Sequence, residues 1–229
     1  MKALLYKEFK LAMHPICYIF IAIFPFMVLI PSYPLAIGFI YVLSWYPILF
    51  LGANKGQQSN DLLYSTLLPI RKKDIVLARI MTVAIMQFAF IAIMSALVPL
   101  TMYLQTIIKA DDGSQLTNPG IPINGYVSLL GIVLVGFSIA DLIFFPIYYK
   151  NGKSIVMSTL MTIIGFIIYL AIFTIALPYI PGFEWYTKFL CDSGLGVQFI
   201  ILGVALVIYV FMHYLVYRIS AKRLEKVDF

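Results

Sequence analysis

Residues Gln57 to Arg79 read QQSNDLLYSTLLPIRKKDIVLAR, and this polar stretch lies between two apolar runs of the chain. Asn60 and Asp61 are residue types that cap helices, and most of the apolar side chains that follow them share one helical face. Pro69 ends that segment, and the last nine residues of the stretch hold five charges. The stretch therefore predicts a short amphipathic helix, a break, and a second helix that begins with charged residues.

The composition places the chain in a membrane. Its 229 residues are 62% apolar and 11% charged, with a mean hydropathy of +0.98, which is more apolar surface than one soluble core can bury. A helix of about 20 apolar residues crosses roughly 30 Å of hydrocarbon. We therefore predict an all-α membrane protein, formed by a single domain of residues 1–229. Six transmembrane helices are expected at about residues 16–30, 35–53, 75–104, 126–149, 155–180 and 197–217.

Residues 1–13 place lysines beside apolar residues at helical spacing, which predicts an amphipathic helix in the membrane interface. A signal peptide is the alternative, but an apolar run follows almost at once without a small-residue cleavage site, so we expect the segment to be retained. With both termini cytoplasmic, only Lys109 and Lys188 of the 16 Lys and Arg residues fall outside. This bias predicts that orientation, and it attributes the net charge of +6 to membrane topology and lipid rather than to nucleic acid.

The sequence shows no recognisable set of catalytic or metal-binding residues. The chain has three glutamates and two histidines, and no His-Glu-x-x-His pair. Gly152, Lys153 and Ser154 resemble the end of a phosphate-binding loop, but the position that requires the first glycine is Ile147. We therefore predict no catalytic site, no metal site and no ATP hydrolysis by this chain. Any energy for its function would come from another polypeptide.

Three polar residues inside the predicted spans, Gln87, Asp141 and His213, are expected at similar depth. At about 1.5 Å rise per residue, they lie roughly 8 to 13 Å from the basic residues that end their spans on the inner side. They would then form an inner vestibule, open to the cytoplasm, where a substrate enters. Alternatively, Asp141 is neutral or pairs with another span, and Gln87 holds two helices together. Arg79 is expected near the lipid headgroups.

Asn60-Asp61 followed by Leu67 to Arg79 (LLPIRKKDIVLAR) resembles the permease subunits of bacterial type 2 ABC transporters, a family of small six-span exporters. Residues 145–153, FPIYYKNGK, are similar to the family's exit from span four. The resemblance implies that residues 57–72 form a cytoplasmic coupling region that docks on a separate ATPase. The residues expected in this contact are Asn60, Asp61, Leu63, Tyr64, Leu67, Leu68, Pro69, Arg71 and Lys72. The alternative is a helix that lies on lipid, with its basic residues at anionic headgroups.

The same resemblance implies the rest of a complex. Two ATPase subunits would bind ATP and magnesium, so no cofactor is expected on this chain, and a second permease copy or a paralogue would form the translocation pathway with it at a dimer interface. Residues 181–196, rich in aromatic side chains, would be an outer re-entrant or interfacial segment. The expected location is the bacterial cytoplasmic membrane, which the chain would cross several times. Short outer loops favour amphipathic or antimicrobial-type peptides as substrates, and a non-energised channel or a structural membrane module is the alternative function.

Overall fold

The structure is a computed structural model, and it describes residues 2–12, 16–29, 70–112, 126–151, 155–172 and 194–226. Every regular element within these ranges is helical, as the sequence predicts. Helix α1, Lys2–Lys7, continues as a π-helical segment, Glu8–Ala12, and α2, Ile16–Ile23, continues as a 3-10 helix, Phe24–Leu29. The longer helices are α3, Lys72–Asp112, α4, Tyr126–Asn151, α5, Ile155–Leu170, and α6, Leu195–Glu225.

Three of the described helices are long and apolar enough to cross a membrane. They contain the stretches Lys72–Leu97, Leu130–Lys150 and Gly196–Glu225, and shorter apolar helices lie at Cys17–Phe26 and Ile155–Tyr169. These helices support the expected all-α membrane protein. The predicted span 35–53 lies outside the described residues, as does the predicted outer segment up to residue 193. Six spans with both termini inside therefore stay a prediction.

Helix ends follow the positions of the residues that interrupt helical hydrogen bonding. The α-helical part of the first apolar segment ends at Ile23, because Pro25 lacks an N–H and its ring crowds the preceding turn, and the chain tightens into a 3-10 helix. Helix α3 continues past the predicted end of its span, near residue 104, as far as Asp112. Residues 105–112 contain neither glycine nor proline, so none of them disfavours the helix strongly.

Helix α4 is the centre of the packing. Of its most apolar window, 67% is buried inside the protein, compared with 44% for α3 and 22% for α6. It packs against α3, α5 and α6. Gly131 allows α6 to approach closely, because a Cβ at this position would stand 3.3 Å from the Cβ of Ala205.

Helix α3 runs antiparallel to α4, as the order of their contacts shows. Arg79 of α3 meets Tyr148 near the end of α4, whereas Gln87, further along α3, meets Asp141, earlier in α4. Helix α6 runs parallel to α4, since His213 lies against Asp141 and a later residue of α6 meets the last turns of α4. The start of α3 and the ends of α4 and α6 therefore lie at the same end of the packed helices, here called the basic end.

Polar contacts hold the helices together at the basic end. Arg223 of α6 donates to the backbone carbonyl of Pro146 in α4 at 2.5 Å, and Lys73 of α3 pairs with Glu225 of α6 at 3.2 Å. A basic stripe at a spacing of four residues is exposed at the end of α6. It consists of Arg218, Lys222 and Lys226. The end that carries these charges is the end at which the predicted coupling region joins α3.

Candidate functional site

A buried ion pair joins the first helical segment to α3 at the basic end. Arg79 donates from Nε to Glu8 Oε2 at 2.9 Å and from Nη2 to Oε1 at 3.2 Å. The Arg79 and Glu8 side chains are 4% and 6% exposed. Arg79 Nη1 also reaches the Tyr148 hydroxyl at 3.5 Å, and Lys7 Nζ lies 4.0 Å from Glu8 Oε1. Since charges that are buried to this degree require partners, the pair holds the N-terminal segment against α3.

The ion pair gives Arg79 a partner that the sequence did not name. The Arg79 side chain is enclosed by protein, and Glu8 supplies its counter-charge inside the packed helices. The expected depth of Arg79 near the lipid headgroups stays a prediction. The buried residues of the N-terminal segment are Leu4 and Glu8, one helical turn apart. The amphipathic helix therefore turns a face that contains a carboxylate toward α3, and its lysines Lys2 and Lys10 are exposed.

Gln87, Asp141 and His213 meet, together with Tyr209, in one group of side chains, here called the polar cluster. Gln87 Nε2 donates to Asp141 Oδ2 at 2.9 Å, and the Tyr209 hydroxyl donates to Gln87 Oε1 at 2.5 Å. His213 Nε2 lies 3.0 Å from Asp141 Oδ2, and its Nδ1 lies 3.0 Å from the backbone carbonyl of Tyr209. The polar cluster thus connects α3, α4 and α6.

The polar cluster is buried between the helices. Asp141, Gln87 and Tyr209 are 0%, 1% and 2% exposed, and the His213 side chain is 11% exposed. The rings of Tyr209 and His213 pack with their centroids 4.0 Å apart, and Phe88 meets the Tyr209 ring edge-on at 5.1 Å. In such surroundings each hydrogen bond is strengthened, and each unsatisfied polar atom is costly.

Two atoms of the polar cluster are incompletely satisfied. Asp141 Oδ1 has no hydrogen-bond partner among the described residues, and the contact of His213 Nε2 with Oδ2 is short but not aligned as a hydrogen bond. Nowhere in the described ranges do three or more His, Cys, Asp or Glu side chains form a group that could hold a metal ion. The side chains of the polar cluster can form hydrogen bonds, and Asp141 and His213 can share a proton.

The contacts of the polar cluster agree with the alternative drawn from the sequence, in which these residues hold helices together. Asp141 pairs with a residue of another apolar helix, and Gln87 bridges α3 to both α4 and α6. A vestibule would require, in addition, that water and a substrate reach these side chains. That use of the polar cluster stays a prediction.

The predicted coupling region is described only at its end. Outside the described residues lie Asn60, Asp61, Leu63, Tyr64, Leu67, Leu68 and Pro69. Arg71 is exposed, and its backbone carbonyl accepts the N–H groups of Asp74 at 2.9 Å and Ile75 at 3.4 Å. Lys72 is the first residue of α3 and is half-buried. Helix α3 thus begins at the last residue of the predicted coupling region.

Two residues of these sites were not singled out by sequence reasoning. The first is Glu8, the one acidic residue among the lysines of residues 1–13. Arg79 is a charge inside an apolar helix, and such a charge requires a counter-charge. The second is Tyr209, which lies four residues before His213 and therefore on the same helical face. The signal in each case was a polar group whose partner the sequence did not name.

A family model described as ABC-2 family transporter protein matches residues 3–221, which is nearly the whole chain. Searches among curated proteins and among solved structures gave no match.

Proposed function

Because the chain belongs to the ABC-2 family of transporter proteins and is thus a type 2 ABC transporter permease, we propose that it is the membrane subunit of an ATP-driven exporter. Such permeases are transport components rather than catalysts, and they work with ABC ATPase subunits. In the proposed complex, two ATPase subunits bind ATP and magnesium and act on two permease subunits, either two copies of this chain or one copy and a paralogue. The complex resides in the bacterial cytoplasmic membrane, which this chain crosses six times with both termini inside.

The arrangement of the basic end is the observation that best supports this proposal. Helix α3 begins at Lys72, which is the last residue of the predicted coupling region, so a force on that region would act on α3 through the chain itself. The ion pair between Glu8 and Arg79 lies about two turns further along α3, so it ties the N-terminal segment to the same helix. A docking contact at the coupling region would therefore reach several helices through α3.

The proposed translocation pathway lies at the interface between two permease subunits. Helix α6 packs on α4 with one side, and most of its apolar surface points away from the described protein, as Ile200, Val207 and Phe211 show with exposed fractions of 65%, 70% and 58%. In a membrane this face contacts lipid tails or a second subunit. The proposed substrates are amphipathic or antimicrobial-type peptides, a proposal that rests on the short outer loops of the sequence.

The coupling role is tested by placing a positive charge on the apolar face of the predicted docking helix. The chain is purified together with the ATPase that accompanies it, and Leu67→Arg is compared with Ser65→Arg. Leu67 and Ser65 lie on opposite faces of the predicted helix, so the two variants add the same charge to the same segment. We expect Leu67→Arg to abolish co-purification and export, and Ser65→Arg to retain both.

The test also separates the exporter from the alternative functions. A non-energised channel or a structural module needs no ATPase, so both arginine variants would then retain function and no ATPase would co-purify. Loss of the chain from cells should, by contrast, make particular amphipathic peptides more toxic if it exports them. The same screen reports unrelated substrates, which would refute the peptide assignment without affecting the coupling role.

A further inference from the structure

The contacts of His213 in α6 with Asp141 of α4 and with the backbone determine how many protons these two side chains hold. His213 Nδ1 lies 3.0 Å from the backbone carbonyl of Tyr209. A carbonyl oxygen only accepts hydrogen bonds, so Nδ1 must carry a hydrogen to make this contact favourable. In the neutral form of the ring, Nε2 would then carry only a lone pair, next to the carboxyl group of Asp141.

The second ring nitrogen requires one more proton. His213 Nε2 lies 3.0 Å from Asp141 Oδ2, and an unprotonated ring nitrogen and a carboxylate oxygen repel each other at this distance, because both atoms are negatively polarised. One proton on either group removes the repulsion, and it gives either a charged histidine with a carboxylate or a neutral histidine with a carboxylic acid. Both arrangements have zero net charge. With no proton the pair would carry a negative charge, and with two it would carry a positive one.

The surroundings favour a net charge of zero on the pair of Asp141 and His213. Asp141 is 0% exposed, and burial of an uncompensated charge is costly. The other side chains that face the pair are Gln87 from α3, which is an amide, and Tyr209 from α6, which donates its hydroxyl to that amide. Among the described residues, Tyr209 is the further titratable group that interacts with Asp141, and it adds no positive charge.

We propose that Asp141 and His213 form a proton-binding site that keeps one proton between α4 and α6, so that separation of the two helices at this level releases it. In water, free aspartate and histidine have reference pKa values of about 3.9 and 6.5, so both lose their protons by about pH 8. Packed together, the two residues retain one. This site is defined by the chain alone and does not depend on the proposed role in export.

A proton count on the purified full chain tests the site. The protein, in a detergent solution of low buffering capacity at about pH 8 with an indicator dye, is unfolded with SDS, and the released protons are counted for the wild type and for Asp141→Asn. Asparagine has the shape of the carboxyl group, accepts from Gln87 and offers an N–H toward His213, but it binds no exchangeable proton of this kind. All other groups cancel in the difference. The wild type is expected to release about one proton more per chain, and a difference below about 0.3 would overturn the proposal.

A second measurement covers the case in which Asp141→Asn does not fold. The chain has two histidines, His14 and His213, so His14→Asn leaves a single imidazole ring to be labelled with nitrogen-15. We expect the NMR signals of the folded protein to show a hydrogen on Nδ1 and no titration near pH 6.5, whereas the chain unfolded in SDS should titrate close to about 6.5. A folded-state midpoint equal to that of the unfolded chain, or an Nδ1 without hydrogen, would refute the site.

Discussion

The buried pair of Glu8 and Arg79 should be far more important for stability than the exposed pair of Lys73 and Glu225. Both pairs connect α3 to another segment at the basic end, and their shortest N to O distances are 2.9 Å and 3.2 Å. Their surroundings differ, because the first pair is 4% and 6% exposed and the second is 53% and 45% exposed. The proposed perturbation removes one charge of each pair, then both.

The expected magnitudes follow from burial. Removal of one partner of a buried ion pair costs about 3 to 5 kcal/mol of unfolding free energy, because the remaining charge stays buried without its counter-charge. Glu8→Gln should cost more than Arg79→Met, since Lys7 lies 4.0 Å from Glu8 and compensates its carboxylate in part when Arg79 is absent. For the exposed pair, solvent screens the charges, and each removal should cost about 0 to 1 kcal/mol.

The measurement is a double-mutant cycle for each pair. Unfolding of the full chain by SDS in detergent micelles is followed by the loss of helical circular dichroism, for the two single variants and for the double variant. The coupling energy between Glu8 and Arg79 should be at least about 2 kcal/mol, because the double variant leaves no buried charge of this pair. Arg79→Lys serves as a further variant, since it keeps the charge but loses the two-pronged contact.

Equal coupling energies for the two pairs would show that the N-terminal segment does not enclose Arg79. A larger cost for Arg79→Met than for Glu8→Gln would contradict only the part assigned to Lys7. Variants of Lys73 and Glu225 thus provide the baseline for the first conclusion, whereas the second compares the two single variants of the buried pair.

Three further predictions concern the packing and the surface. Tyr209→Phe should cost about 1 to 3 kcal/mol in the same unfolding assay, because the buried Gln87 Oε1 loses its donor, and a cost below that of a surface substitution would contradict the hydrogen bond. Gly136→Ala should destabilise, since its Cβ would stand 2.9 Å from the Phe166 ring. Gly203→Ala should be neutral or stabilising, because a Cβ there would meet no described atom within 4 Å apart from its own turn of helix. Replacement of the basic stripe by glutamine should weaken the attraction to anionic lipid by about 1 kcal/mol per charge at low salt, and it should therefore reduce the rise in melting temperature caused by added phosphatidylglycerol. An unchanged rise would show that lipid does not contact the stripe.

The sequence was informative about which residues need partners and about their position along the helix axis. A charge or an amide inside an apolar helix is costly, so Gln87, Asp141 and His213 were recognisable, and a rise of about 1.5 Å per residue placed them at similar depth. Their meeting in one cluster agrees with that placement.

The partners themselves were not predictable from a single sequence. Which faces of α3, α4 and α6 meet depends on close packing at residues such as Gly131, and no periodic pattern in the sequence encodes that choice. Tyr209 is one of several aromatic residues in an apolar helix, and Glu8 is the single acidic residue of the interfacial segment, so neither pattern named a partner. In both cases tertiary contacts determined the role, because the group that satisfies each side chain lies far away along the chain.

Gln87 is the residue of the polar cluster that connects α3 to both α4 and α6. The N-terminal segment is attached to α3 at Arg79, and α6 is attached to α4 both at Asp141 and, through Arg223, at Pro146. Gln87 donates to Asp141 of α4 and accepts from Tyr209 of α6, so a movement of α3 against these two helices breaks both hydrogen bonds at once. Because buried hydrogen bonds are costly to leave unmade, such a movement needs either an input of energy at the start of α3 or new partners for the same groups. The predicted coupling region joins α3 at that start, about 15 residues or roughly 22 Å from Gln87 along the helix.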